Sequence, residues 1–338
     1  MQLYPRSNIP KFDEESMPFP FLYSYELWLK KDLNCDYFFA YSEKENALMP
    51  LKRYSVKGFV LLQPLFPPVT LKGERLAVET EKQFLNEFTE YISAKKIACR
   101  ITQSPSYTLF TAVPNHSKFC PFGTYMTDLK NHTEEELFSK VHSRIRSYIK
   151  AMEKNDVAIK WGNQTQDDFY ILYKQTMHRS HLYCNSAEHF KTMYSCLNSN
   201  LICGVVYWNK MPQGAILFPY TNYGAFYLYG ASSDKMNLNG SMNYLHWQAM
   251  LLLKRKGIKM YDFAGARLSD VSNTKLEGVQ NFKKKFGGEL IKGYLWKMDI
   301  NPTKCRLFDN LLKINSILHG RNVYHDIIDE ENAKTRTL

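Results

Sequence analysis

The stretch LHWQAMLLLKRKGIKMYDFAG, residues 245–265, switches pattern in its middle. MNYLHWQAMLLLKRK (242–256) has the apolar spacing of a helix and a basic last turn, and Gly257 suits the position just past a helix end. KMYDFAG (259–265) then reads as a short apolar strand and a turn, with Asp262 placed to cap that turn or to orient a neighbouring side chain.

Working outward, the flanks supply the rest of one α+β unit. Downstream, NTKLEGVQNFKKKF (273–286) reads as a helix ended by Gly287, followed by the alternating strand ELIKGYLWKMDI (289–300). Upstream, LICGVVYW (201–208), QGAILFPY (213–220) and AFYLYGA (225–231) are strands separated by turn residues, as in a meander. Helices are expected over 167–178 and 186–196. Thr133 and Glu136 form a capping-box pattern that opens one helix with Leu137, Val141, Ile145, Ile149 and Met152 on a single face. The chain before residue 125 carries a shorter version: strands at 36–42, 46–54 and 58–66, a helix at 79–96, and strand candidates at 97–101 and YTLFTAV (107–113). The order predicts a degenerate tandem repeat of one α+β unit, divided into residues 1–124 and 125–299, with a tail at 300–338.

The 338 residues, 44% of them hydrophobic, suffice for one large domain or two medium ones with a real core. Lys plus Arg exceed Asp plus Glu by 44 to 33, a formal charge of +11, which favours polyanionic partners. The seven cysteines are odd in number and include no CxxC, a pattern of reduced thiols and not of a disulfide framework or zinc site. MQLYPRSNIPKFDEE lacks the apolar core of a signal peptide and no window has the length of a membrane span. A cytoplasmic protein is expected, with peripheral membrane contact left open. His178, His181 and His189 lack a partner carboxylate at ligand spacing, so no metal is expected.

Two places have the chemistry of an anion site. Phe282 and Phe286 lie four apart on one helix face, with Lys283, Lys284 and Lys285 between them and Gly287–Gly288 after them. A lysine there can neutralise phosphate or a developing oxyanion. Asn239, Gly240 and Ser241 stand where a helix begins, and free N–H groups at such a point bind anions.

Residues 125–297 resemble the FemAB-like branch of the GNAT acyltransferase superfamily. The resemblance is carried by HSRIRSYIKAMEKNDVAI (142–159), FYILYKQTMHRSHLY (169–183), AFYLYGASS (225–233), LHWQAMLLLKRKGIKMYDFAG (245–265) and GVQNFKKKFGGELIKGY (278–294). It implies two tandem GNAT-like domains, each a mixed, mostly antiparallel sheet flanked by helices, with the tail packed back on the first. It implies transfer of an acyl or aminoacyl group from an ester or thioester to the amine of a peptidoglycan or polysaccharide precursor. No permanently bound cofactor is implied; acyl-CoA or aminoacyl-tRNA is the co-substrate, and the partners are a phosphorylated or nucleotide-linked amine and tRNA. By the same resemblance Lys283 is catalytic, Arg179, Tyr183, Tyr229 and Lys31 bind the acceptor, and Asn239, Gly240 and Ser241 belong to the donor side. The chain departs from the family in lacking a long helical arm, and the Q/R-x-x-G-x-G/A loop of CoA-binding relatives is missing between Ala231 and Ser241. A binding protein for RNA or another polyanion, without catalysis, is the competing expectation.

Overall fold

The computed structural model describes residues 1–155, 157–235, 238–272, 274–318 and 326–335. The α+β class expected from the sequence is what the chain adopts. One long mixed sheet runs in the order Gln2–Tyr4, Asp36–Ser42, Ala47–Val56, Phe59–Pro64, Arg100–Ile101, Glu289–Asp299, Lys118–Asp128, Met260–Asp262, Ala225–Phe226. A second, four-stranded sheet has the order Tyr229–Ser232, Met211–Pro219, Leu201–Trp208, Val157–Trp161.

One device occurs twice. Strand Phe59–Pro64, helix Val78–Lys95 and strand Arg100–Ile101 make a crossover whose two strands pair in parallel. Strand Ala225–Phe226, helix Ser241–Arg255 and strand Met260–Asp262 make the other. A parallel pair needs such a helix because its ends lie at opposite edges of the sheet. Strand Glu289–Asp299 joins the two copies: Glu289 to Lys297 pair with Met126 to Lys118, and Met298 and Asp299 pair with Ile101 and Arg100.

The hydrophobic core also spans the copies. Phe19, Phe21 and Trp28 pack in one cluster with Phe169, Phe190 and Phe226. Strand Lys118–Asp128 passes through position 124 without a break. The helix Pro302–Leu318 lies on the first copy, where Cys305 and Phe308 cluster with Leu61 and Cys99, and Arg100 holds Asp309 through bonds of 2.8 and 2.9 Å. Residues 319–325 and 336–338 of the expected tail lie outside the described residues.

Three local expectations are corrected, and one unassigned stretch proves helical. YTLFTAV forms no strand: Phe110 bridges Tyr294, but the next donors, Thr111 N and Oγ1 and Ala112 N, turn to the buried carboxylate of Glu81. The helix opened by the Thr133 capping box stops at Lys140 and a second runs Ser143–Glu153. The break falls where His142 N donates to Lys285 O at 2.8 Å, a bond that a continuous helix would forbid. AFYLYGA is two strands in two sheets, parted at Tyr227–Leu228. A helix, Tyr23–Leu33, stands where the pattern gave no assignment; its weakly amphipathic sequence is held by buried Tyr25, Trp28 and Leu29.

Because a strand and a core cluster both cross position 124, fragments 1–124 and 125–338 made separately are expected to show no cooperative thermal transition by circular dichroism. The intact chain is expected to show one.

Candidate active site

The site begins with a conflict between strands. Ala225 and Phe226 pair in parallel with Tyr261 and Asp262, and the Tyr227 N–H still reaches Asp262 O at 2.9 Å. Two residues later the chain has left that sheet: Tyr229 to Ser232 pair antiparallel with Leu217 to Gly214. Beside this parted segment opens a pocket of about 290 Å³. Its walls come from Tyr227, Gly230 and Ser232 of the parted strand, Met242 of the helix Ser241–Arg255, and Phe282 and Lys283 of the helix Lys275–Lys284. Gly230 has no substitute here, since a Cβ would collide with the Tyr227 hydroxyl.

Lys283 is 6% exposed. Its Nζ donates to Ala264 O at 2.6 Å and to Gly265 O at 2.7 Å. Those two bonds leave one position on the nitrogen, a third N–H when charged and a lone pair when neutral. Burial lowers its pKa to about 8, against the pull of Asp262. Lys284 is exposed and Lys285 half-buried.

The carbonyls that hold Lys283 are aimed by a left-handed turn. Ala264 has φ +54° and Gly265 φ +83°. For alanine that conformation costs about 1–2 kcal/mol. It is fixed by Asp262 Oδ1, which accepts Ala264 N at 2.7 Å and the Thr124 hydroxyl, and by Thr124 Oγ1, which accepts Gly265 N at 3.2 Å. Asp262 thus caps the turn and, through it, aims the carbonyls that hold Lys283. Full burial raises its pKa to about 6, with Thr124, Ala264 N and Lys283 opposing the rise. Beside them His246 is fully buried among Tyr227, Phe263 and Phe282; burial, then Lys283, lowers its pKa to about 3, so it is neutral.

The residues assigned to the acceptor lie along the neighbouring helix and strand. Arg179 donates to Ser232 Oγ at 2.8 Å and pairs with Asp234, which puts it at the Ser232 side of the pocket. Thr176, one turn earlier, bonds the backbone of Ser232 in both directions and lines the pocket. Tyr183 is 83% exposed. Tyr229 packs edge-on against Tyr173 and Phe190. Lys31 is exposed on Tyr23–Leu33, and the next residue ties that helix to the site: Asp32 Oδ2 bonds His189 Nδ1 at 2.7 Å, and His189 Nε2 lies 3.4 Å from the Tyr229 hydroxyl. The Asp32–His189–Tyr229 chain is invisible in sequence, because its members come from three distant elements. Gly240, φ +97°, precedes the helix at Ser241, and a Cβ there would lie 2.8 Å from Tyr148 Cβ and 3.0 Å from its ring. Met242, in the first turn of that helix, lines the pocket, whereas Asn239, Gly240 and Ser241 are not among its lining residues. Among the described residues no group of His, Cys, Asp and Glu could hold a metal ion.

The FemAB family model matches residues 205–309, a span that contains the parted strand, the turn at 262–265 and Lys283. The chain is FemAB-like. Its fold is similar to that of FemX, with a TM-score of 0.64 at 14% identity over 85% of this chain and 93% of that one. It is also similar to the C-terminal domain of a putative lysylphosphatidylglycerol synthetase from Agrobacterium fabrum, TM-score 0.51, 15% identity, covering 78% and 84% of the two chains. L-PGS from Bacillus licheniformis gives 0.50 and 15%, covering 77% and 83%. No curated protein matches in sequence. Within this FemAB-like fold, the sequence reading missed Tyr227, Thr124 and the Asp32–His189 pair. Tyr227 sits in a stretch already quoted for its pattern, but only the split of the sheet shows what it faces.

Asp262→Asn keeps an acceptor for Thr124 and Ala264 N but removes the charge that supports protonated Lys283. The titration of Lys283, followed by the pH dependence of its amine acylation rate, is expected to move below about 8. An unchanged midpoint would show that the two groups are not coupled.

Proposed function

We propose that this protein is an acyltransferase that moves an acyl or aminoacyl group from an ester or thioester donor to the amine of a phosphorylated cell-envelope precursor. The observation that carries the reading is Lys283, a buried cation at the wall of a pocket that opens beside the parted strand. Attack of an amine on an ester or thioester carbonyl places negative charge on oxygen. A preorganised N–H in a water-poor site stabilises that charge far better than solvent does. Lys283 has two donors anchored on carbonyls, so its remaining N–H is held without further reorganisation.

In this reading the donor enters beside Asn239, Gly240 and Ser241, and its carbonyl reaches the pocket where Tyr227 and Lys283 meet. Arg179, with Tyr183 and Tyr229, receives the acceptor, and a guanidinium suits its phosphates because it binds two oxygens at once. Lys31 adds a second cation from the first copy of the repeat. The family match, the FemX-like fold and a neighbour whose name joins a lysyl group to a lipid support transfer to an envelope component. The absent helical arm and Gly-rich loop leave acyl-CoA and aminoacyl-tRNA both as candidate donors, to be separated by titration with each.

Lys283→Met, which keeps the aliphatic stem, is expected to lower kcat by about 10²-fold or more with the fold intact by circular dichroism. Arg179→Ala is expected to raise the KM for the acceptor with less effect on kcat. Since Lys283 is lowered to about 8, a role for its charged form predicts a rate that falls as pH rises through about 8. A rate that rises through that value would make the neutral amine a base and overturn the oxyanion role.

A further inference from the structure

The helix Pro302–Leu318 buries one face and leaves another bare. Cys305 and Phe308, with Leu312 beside them, pack on the sheet. On the opposite side Leu307, Ile314, Ile317 and Leu318 are 54%, 54%, 74% and 76% exposed. With half-buried Leu311, residues 307, 311, 314 and 318 follow spacings of four, three and four, which is one continuous stripe along a helix. Thr303 and Asn310 share that arc and are uncharged. Four large aliphatic side chains in one exposed row are more than the scattered apolar residues normal for a surface.

Cations border the stripe on both edges. At 100° per residue, Arg306 and Lys313 fall along one side and Lys304 along the other. The single acidic residue of the helix, Asp309, is already held by Arg100. Exposed Lys57, in the turn between two strands, reaches Asn315 Oδ1 at 3.3 Å and adds a further positive charge beside the second half of the helix. A cavity of about 400 Å³ adjoins Leu307; Phe59, Val60 and Ile97 supply apolar lining, and Lys96 and Lys304 stand at it. An apolar row between lysines and arginines, next to a cavity of mixed character, matches an interface that is hydrocarbon inside and anionic at its border.

We propose that this face docks the protein on an anionic phospholipid surface, the aliphatic row entering the headgroup boundary and Lys57, Lys96, Lys304, Arg306 and Lys313 meeting the phosphates. A second copy of the chain fits the spacing less well, because pairing the two rows would bring their cationic borders together. No helix among the described residues is long and apolar enough to cross a membrane, so contact of this kind lies on the surface. The proposal is independent of the reaction proposed for the pocket.

The test is sedimentation of the full chain with phosphatidylcholine vesicles, with and without phosphatidylglycerol. Binding is expected to the phosphatidylglycerol vesicles only, to weaken in ~0.5 M salt, and to fall at least about tenfold both in I314D/I317D and in K304E/K313E. These side chains are exposed, so circular dichroism melts are expected to match the parent. No preference for phosphatidylglycerol, or variants that bind as the parent does, would overturn the proposal. A mass that doubles with concentration in the absence of vesicles, and is restored to one chain by I314D/I317D, would assign the face to a second copy instead.

Discussion

A strand has two edges, and each peptide can satisfy only the neighbour it faces. Residues 225–232 are asked to belong to two sheets in succession, parallel to Met260–Asp262 and then antiparallel to Met211–Pro219. The chain meets this demand by parting at Tyr227 and Leu228: the Tyr227 N–H still donates to Asp262 O, the Leu228 N–H already to Leu217 O. Everything at the candidate site follows from that gap. The pocket opens beside the parted strand, a Cβ on Gly230 would meet the Tyr227 hydroxyl, and the helix Ser241–Arg255 begins where the departing strand delivers it.

The second organising fact is a buried charge. A lysine taken out of water loses several kcal/mol of hydration unless something replaces it. Here the replacement is two backbone carbonyls, aimed by the left-handed conformation of Ala264 and Gly265 and steadied by Asp262 and Thr124. The arrangement is not the one that best stabilises the fold. Asp262 and Lys283 are both shifted toward neutrality by burial, so each tolerates its place at some expense to stability at neutral pH. A locally strained turn and two displaced titrations in one cleft are the usual mark of a site kept for chemistry.

Much of this was legible in the amino-acid order, because the signals were local. Strand Leu201–Trp208 and helix Ser241–Arg255 appear nearly where periodicity and the glycine at 257 put them, and Lys283 of FKKKFGG lines the pocket. The parted strand could not be read, since AFYLYGA has unbroken strand character and the break is imposed by its two partners. The split of the helix at 141–142 was hidden for the same reason: its apolar face is continuous, and the interruption comes from Lys285 O, more than a hundred residues away. YTLFTAV has strand propensity that a single buried carboxylate, Glu81, overrides. The Asp32–His189–Tyr229 chain joins side chains with no pattern between them.

Strand Glu289–Asp299 has a consequence for synthesis. It lies in the interior of the long sheet, yet almost all of the chain is translated before it. Until it leaves the ribosome, Lys118–Asp128 has an unpaired edge and the two crossover units have no common strand. Such edges recruit other strands, including those of neighbouring nascent chains. Assembly therefore includes an insertion between partners that have been waiting, and capture by a chaperone is expected in the window before it.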